Sequence, residues 1–411
     1  MKLSIKNVGK LKEADVEING ITVIAGENNT GKSTVSKALF SLFNGFYNFD
    51  NKMVELKSRD IRNIFLRFMQ NLNRENANTL IDISDKIVKD TSYKFDRNKL
   101  IQLIQEKKNL ISIEYLEEVS EKIFNILNIK DEEYLENTIS YILNNEFDNQ
   151  INTIWSNDLG EIALEIKENE LKLRIKNNKV IKIENKINLH SEVIYIDDPF
   201  VIDNLNEYKW RDINYLENHK ESLETKLIRE KNEKTFSEKI IAKNNLQQIT
   251  EKLEEVINGK IKFNQGKWIY EFENNNELNL KNLSAGLKSF AILKRLVENG
   301  NLEEKGIVIL DEPEIHLHPE WQLKFAELIV LLQKEFRMHI LLTTHSPYFV
   351  SAIEVFSEKY KIDDKCKYYV AENKGNSGVI KDITGNTNII FKKMARPFQD
   401  LENIRYTYDD E

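Results

Sequence analysis

The sequence predicts an α/β protein with a core sheet, an antiparallel β lobe and helical insertions. Three observations point to it. A glycine-rich loop, Gly26–Ser33 (GENNTGKS), lies between a short apolar run and a segment of helical periodicity. A second apolar run far along the chain, Gly306–Leu310 (GIVIL), ends on Asp311-Glu312. Between them the hydrophobic period changes from three-and-four over residues 46–150 to two over 153–189, the repeats of helices and strands respectively.

The elements follow in order. Leu3 to Lys6 and Ala14 to Ile18 alternate and read as two strands, with Asn19-Gly20 as a turn. Ile21–Ala25 (ITVIA) reads as a short buried strand, and Thr34 to Phe43 as a helix with Val35, Ala38, Leu39 and Leu42 on one face. Residues 46–150 read as an inserted set of helices (Ile64, Phe68, Leu72; Leu100, Ile104; Ile123, Leu127) whose plain role is packing. Residues 153–189 read as a β-meander, and Val193–Ile196 (VIYI) as a core strand. Residues 212–258 return to charged helix; Leu246, Ile249, Leu253 and Val256 suit an antiparallel arm or short coiled coil. A hairpin is expected around Asn264-Gln265-Gly266, a strand at Ile340–Thr344, a helix at Val350–Phe356 and a strand at Lys367–Ala371. The predicted segments are 1–45, 46–150, 151–211, 212–258 and 259–411.

Gly26–Ser33 fits the phosphate-loop pattern G-x-x-x-x-G-K-[ST]. Glycines let the backbone wrap a phosphate, and a helix start offers free N–H groups and the positive dipole end. Gly26, Asn28, Asn29, Thr30, Gly31, Lys32, Ser33 and Thr34 are therefore candidate phosphate-binding residues. Lys32 can reach β- and γ-phosphates, and the Ser33 hydroxyl can ligate Mg2+. A buried strand that ends on Asp311-Glu312 delivers two carboxylates to the edge where open α/β sheets bind ligands. Asp311 is expected to hold the Mg2+ shell and Glu312 to orient an attacking water. Leu283–Leu287 (LSAGL) precedes another helix, so Ser284 and Gly286 offer a hydroxyl and bare N–H groups at its start. His345 ends the strand Ile340–Thr344, where an imidazole can contact a γ-phosphate. Taken singly, these are a glycine turn, an acidic turn, an N-cap and a structural histidine. Their order and spacing argue for one nucleotide site.

With these motifs in this order the chain resembles the ABC-type ATPases, in the branch of SMC, RecF and OLD proteins rather than transporter subunits. LDEPEIHLHP (Leu310–Pro319) and LLTTHSP (Leu341–Pro347) carry the resemblance, which covers residues 1–45 and about 190–400. It implies an ABC-type ATPase head, ATP and Mg2+ as cofactors, and catalysis through Glu312 and His345. It also implies that Ser284 and Gly286 act in trans. ATP is then sandwiched between heads of a homodimer or higher homo-oligomer. Where that family carries a glutamine that contacts Mg2+ and water after the strand Val193–Ile196, this chain has Asp197-Asp198-Pro199-Phe200, and the resemblance leaves Asp197 or Asp198 to take its place. The adenine-contacting segment corresponds to Val8-Gly9-Lys10-Leu11.

The same phrases resemble the ATPase subunits of bacterial anti-phage systems, the PtuA type of Septu and the AriA type of PARIS. That implies a switch subunit controlling a separate effector, a nuclease or toxin. The alternative is a RecF/SMC-like DNA-repair ATPase that clamps nucleic acid. No Asp-x-Asp pattern follows His345, so no Toprim nuclease is expected there. Four of the six histidines (His316, His318, His339, His345) fall near the ATPase motifs, which leaves few for a His-Asn-His nuclease.

Composition bounds the rest. The 411 residues, 41% hydrophobic and 31% charged, suit a globular protein with exposed helix. A single cysteine, Cys366, excludes an internal disulfide framework and suits a reducing cytosol. No apolar run reaches bilayer length, and the start lacks an apolar leader. A cytoplasmic protein without membrane contact is expected. A net charge of −8 predicts no broadly basic face, and nucleic-acid contact is left open.

Overall fold

Apolar runs without polar interruption make strands that are covered on both faces, and alternating runs make strands with one wet face. Both kinds occur in one sheet here. The structure, a computed structural model, describes residues 1–69, 74–106, 111–205, 216–230 and 247–409. The chain divides into two units, Met1–Asn44 with Ser140–Ile187 and Ser191–Glu411, and Gly45–Ile139 with Asn188–His190.

The first unit holds an 11-stranded sheet. Its strands are β1 (Lys2–Val8), β2 (Leu11–Glu17), β3 (Ile21–Gly26), β4 (Gly160–Ile166), β5 (Asn169–Lys176), β6 (Lys179–Glu184) and β7 (Val193–Ile196), then β11 (Ile307–Asp311), β12 (His339–Thr344), β13 (Cys366–Lys374) and β14 (Ser377–Asp382). Their order is β6-β5-β4-β1-β2-β14-β13-β3-β12-β11-β7. From β13 to β7 neighbours run parallel. From β6 to β2 they run antiparallel. The β13–β14 hairpin joins the two parts, with β14 parallel to β2. The antiparallel lobe expected from the alternating sequence is thus continuous with the core sheet.

Composition explains the difference between the ends. Every residue of β3, β7 and β11 is buried. In β5 only Leu171, Leu173 and Ile175 are, on one face. Asn177 and Asn178, both at positive φ (51° and 59°), turn β5 into β6, as a tight hairpin of right-handed twist requires. A separate three-stranded sheet joins β8 (Gly259–Asn264), β9 (Lys267–Phe272) and β10 (Glu277–Asn279). Gln265 and Gly266 at positive φ make its first turn where the sequence predicts one.

Helices α1 (Lys32–Phe46), α6 (Asp131–Glu146), α7 (His219–Ile228), α8 (247–254), α9 (Ala285–Glu298), α10 (Pro319–Phe336), α11 (Pro347–Lys359) and α12 (Asn388–Asp409) complete the run of longer elements outside residues 47–130. Phe290 of α9 meets Trp321 and Phe325 of α10 edge-on, with ring centroids 5.6 and 5.3 Å apart. Phe290→Ala therefore costs roughly 3–5 kcal/mol. Leu223, Leu227, Ile249 and Leu253 belong to this same core. The described part of the charged 212–258 segment thus packs on the head; Leu246 and the rest of the expected arm lie outside the described residues.

The second unit is helical, built by α2 (Phe49–Phe68), α3 (Arg74–Lys89), α4 (Arg97–Glu106) and α5 (Leu116–Asn128). Ile61, Phe65, Ile83, Ile87, Leu100, Val119 and Ile123 form its core; Leu72, read with them in the sequence, lies outside the described residues. Each such buried side chain contributes about 1.5–3 kcal/mol. The Tyr134 hydroxyl donates to Asp60 at 2.7 Å.

Candidate active site

The register of the parallel strands assembles the site. Ala25 lies opposite Thr344, Asp311 opposite Thr343, and Leu310 opposite Ile196. The residues that leave β3, β12, β11 and β7 therefore emerge at one edge of the sheet. They are Glu27, His345, Glu312 and Asp197. The phosphate-loop residues and the two carboxylates, far apart in sequence, meet there around a cavity of about 500 Å3. Lys10, Asn28, Asn29, Thr30, Gly31, Lys32, Ser33, Thr34, Asp197, Asp311, Glu312 and Ile315 line it.

The loop is held open by its own bonds. Asn29 and Gly31 have φ of 59° and 93°. The Thr30 hydroxyl donates to the Glu27 carbonyl at 2.8 Å. A Cβ at Gly31 would lie 2.6 Å from Leu11 Cδ2, and one at Gly26 would lie 2.5 Å from the Ala371 carbonyl oxygen. Both positions thus need glycine for lack of space, Gly31 also for its backbone angle. Lys32, only 4% exposed, sends Nζ to the Gly26 and Glu27 carbonyls, 3.0 Å each, and lies 3.1 Å from Glu312 Oε1. Its charge is thereby fixed on the cavity floor.

Asp311 is buried and doubly held. The Tyr195 hydroxyl donates to Oδ2 at 2.9 Å, and the Thr343 hydroxyl donates to Oδ1. Burial, then the negative charges of Asp311 and Asp197, push the Tyr195 hydroxyl well above its ordinary pKa, so it stays a donor. Glu312 has φ of 50°, a left-handed conformation that costs a glutamate roughly 1–2 kcal/mol. Its N–H is anchored on the Thr343 carbonyl at 3.0 Å. His345 Nδ1 lies 3.5 Å from Glu312 Oε2 and 3.7 Å from Glu314 Oε1. Glu314, 2% exposed, accepts from the Thr344 hydroxyl and from the His345 N–H at 3.1 Å. Burial raises its pKa, against the opposing effect of those bonds.

The predicted residues Asn28–Thr34, Asp311 and Glu312 thus share one cavity, Gly26 begins its loop, and His345 stands beside Glu312. Ser284 and Gly286 do not line that cavity. Ser284 caps α9 by accepting from the Leu287 N–H at 3.4 Å, and Gly286 is buried against the His316 carbonyl and the Trp321 ring. His339, grouped with the motifs in sequence, starts β12 and so sits away from the edge where Thr344 ends it. Sequence reasoning missed Tyr195 and Thr343, whose only signal was a hydroxyl inside an otherwise apolar buried run (VIYI, ILLTT). Glu314 lies outside those runs, in LDEPEIHLHP.

Ser33, exposed on the cavity side, and Asp311, whose oxygens keep lone pairs beyond the two hydroxyl bonds, can take a hydrated Mg2+. Among the described residues no cluster of three or more His, Cys, Asp or Glu could hold a metal ion by itself. No described helix is long and apolar enough to cross a membrane.

Two relatives align over short segments. One is the retron Vc95 probable ATPase of Vibrio cholerae serotype O1 biovar El Tor, 35% identical over 107 residues, covering 23% of this chain and 20% of the relative. The other is the Septu protein PtuA of Bacillus thuringiensis, 32% identical over 93 residues, 20% of this chain and 23% of PtuA. The chain thus spans about a fifth of the length of each curated relative. Solved structures of similar course include an SMC head domain from Thermotoga maritima (10% identity, TM-score 0.39, 93% of this chain and 97% of that one). Another is an SMC head bound to the C-terminal winged-helix domain of ScpA (11% identity, TM-score 0.45, 93% and 97%). The architecture rests on the strand order above rather than on these scores. The profile of the AAA ATPase domain matches residues 1–350. With the phosphate loop and the Asp311-Glu312 pair facing one cavity inside that span, this chain belongs to the AAA ATPase domain family.

Proposed function

We propose that this ATPase is the switch subunit of a bacterial anti-phage complex, closing head to head on ATP and controlling a separate effector nuclease or toxin. The observation that carries the nucleotide part is the meeting of Lys32 with Glu312 on the floor of the loop-lined cavity. The defence part rests on the resemblance of LDEPEIHLHP and LLTTHSP to such subunits, supported by the similarity to Septu PtuA and the retron ATPase.

The loop N–H groups and Lys32 bind the β- and γ-phosphates. Ser33 and Asp311 hold Mg2+, which when bound neutralises charge on the phosphate oxygens. Glu312 orients the water for attack, and His345, fixed by the bond from its N–H to Glu314, contacts the γ-phosphate. Ser284 and Gly286 complete the site of a second copy. Exposed Ile315, at the cavity rim, and exposed Phe200, packed edge-on against His316, supply apolar surface for that contact.

The test is light scattering of Glu312→Gln at micromolar protein. Saturating Mg-ATP should double the mass or more. A mass that stays at one chain at every ATP concentration contradicts the sandwich. Pull-down with the products of neighbouring genes tests the effector: a nuclease or toxin should co-elute, and its release should depend on Lys32.

A further inference from the structure

Asp311 ends β11, which lies between β12 and β7 in the sheet. One hydroxyl reaches it from each neighbour. Thr343 of β12 stands opposite Asp311 in the register and donates to Oδ1. Tyr195 of β7 stands opposite Ile309, two residues back along β11, and its longer side chain spans the offset to donate to Oδ2 at 2.9 Å. The carboxylate is thus held from both flanking strands, with lone pairs left for the cavity it lines.

The tyrosine, 2% exposed, is held in turn. The His219 ring stacks on it with centroids 4.2 Å apart and planes 26° apart, and the Phe40 ring lies at 6.0 Å. His219 Nε2 is 2.9 Å from Asp197 Oδ2, and Nδ1 is 2.6 Å from Glu146 Oε1. Glu146 is fully buried at its side chain and also accepts the His219 backbone N–H, at 3.2 Å, on Oε2. Asn218 and Glu221 lock the start of α7, which carries His219, with a capping box. This buried charged bridge fixes the imidazole, and the imidazole braces the tyrosine ring. Packing alone does not call for the hydroxyl. A phenylalanine would fill the same space in an apolar strand without a polar atom to satisfy. A metal-ligating carboxylate, by contrast, needs a partner behind it, and losing such a partner costs about 10–100-fold in metal affinity or activity.

We propose that Tyr195 is the positioning residue of the Mg2+ site, its hydroxyl holding Asp311 Oδ2 so that the carboxylate stays turned to the cavity. The His219 ring, set by Glu146 and Asp197, keeps the tyrosine in place. This rests on the nucleotide site proposed above, and it ties the ends of α6 and α7 to metal affinity.

The experiment compares Tyr195→Phe, Asp311→Asn and the double variant of the full chain. ATP affinity is measured by calorimetry in EDTA and at a series of free Mg2+ concentrations, and folding by thermal melting. Wild-type affinity should rise with Mg2+. In Tyr195→Phe the free Mg2+ at the midpoint of that rise should increase about tenfold, the order that losing a partner behind a ligand costs. Its ATP Kd in EDTA should stay within about threefold of wild type, since metal-free binding is untouched. Asp311→Asn should shift the midpoint at least as far, and the double variant no further than Asp311→Asn alone, since the tyrosine acts through the aspartate. Tyr195→Phe keeps the stacked ring; if it nevertheless fails to fold, His219→Gln, which removes the brace and leaves the hydroxyl, takes its place with a shift in the same direction. A wild-type midpoint in the variant that carries the test, or an EDTA affinity that falls as far as the affinity with Mg2+, overturns the inference, while a shift in Asp311→Asn leaves the site standing. An unchanged midpoint in Asp311→Asn overturns both.

Discussion

Lys32 Nζ lies 3.1 Å from Glu312 Oε1 across the cavity floor. The residue proposed to bind phosphate and the residue proposed to orient water therefore hold each other, although 280 positions separate them. In the proposed mechanism an incoming triphosphate competes with Glu312 for Lys32, and binding releases the carboxylate for chemistry. Glu312→Gln should keep ATP binding, because Lys32 and the loop remain. It should lose about 100-fold or more in kcat, as removing a general base does. Phosphate release beside calorimetry checks this, and turnover near wild type would remove Glu312 from the mechanism.

Gly31→Ala should damage the site through sterics and strain. Its φ of 93° opposes a side chain, and so does Leu11 Cδ2, which would lie 2.6 Å from the added Cβ. The variant should lose about 1–3 kcal/mol of stability and bind ATP at least tenfold more weakly, about 1.4 kcal/mol. Gly375→Ala is the control, with φ of 63° and open space around it; ATP affinity there should not change. Urea unfolding and calorimetry read both.

The buried His219 makes a pH-dependent contribution to stability. Its folded pKa of about 9 exceeds the ordinary 6.5, so the folded state holds the proton more tightly. The stabilisation is complete below about 6.5 and is lost as pH rises through about 9. The stability difference between wild type and His219→Gln should therefore be largest at pH 6 and shrink steadily toward pH 9.5. A constant difference over that range, by urea unfolding, would contradict the charged bridge.

The site was legible because its chemistry sits where apolar runs stop. GENNTGKS after ITVIA, Asp311-Glu312 after GIVIL, and His345 after ILLTT each mark a strand end, and parallel register brings strand ends together. Val193–Ile196 forms the core strand expected there. Strand order was not legible, because nothing local says that β14 pairs with β2 or that β3 lies between β12 and β13. The strand β14 and the helix α12 went unread, since SGVIKD alternates too briefly and the last 22-residue helix is largely polar. The Glu146–His219–Asp197 bridge was invisible for the same reason. Its members are 73 and 22 residues apart, and a single buried histidine has no period.

The proposal of a separate effector chain predicts that the purified protein does not cleave plasmid, single-stranded DNA or tRNA with Mg2+ or Mn2+ and ATP. Cleavage that persists through purification and disappears on mutating carboxylates within residues 46–150 would put the effector inside this chain.

ATP is proposed to bind in the cavity at the sheet edge through the phosphate loop. Calorimetric titration of Mg-ATP into wild type and Lys32→Ala tests it most directly. Removing the buried ammonium takes away a charge-assisted partner of the phosphates. Saturable binding in wild type and no measurable heat in Lys32→Ala, with both proteins folded by thermal melting, is the result expected. Equal affinity in the two would rule out Lys32 and its loop as the ATP site.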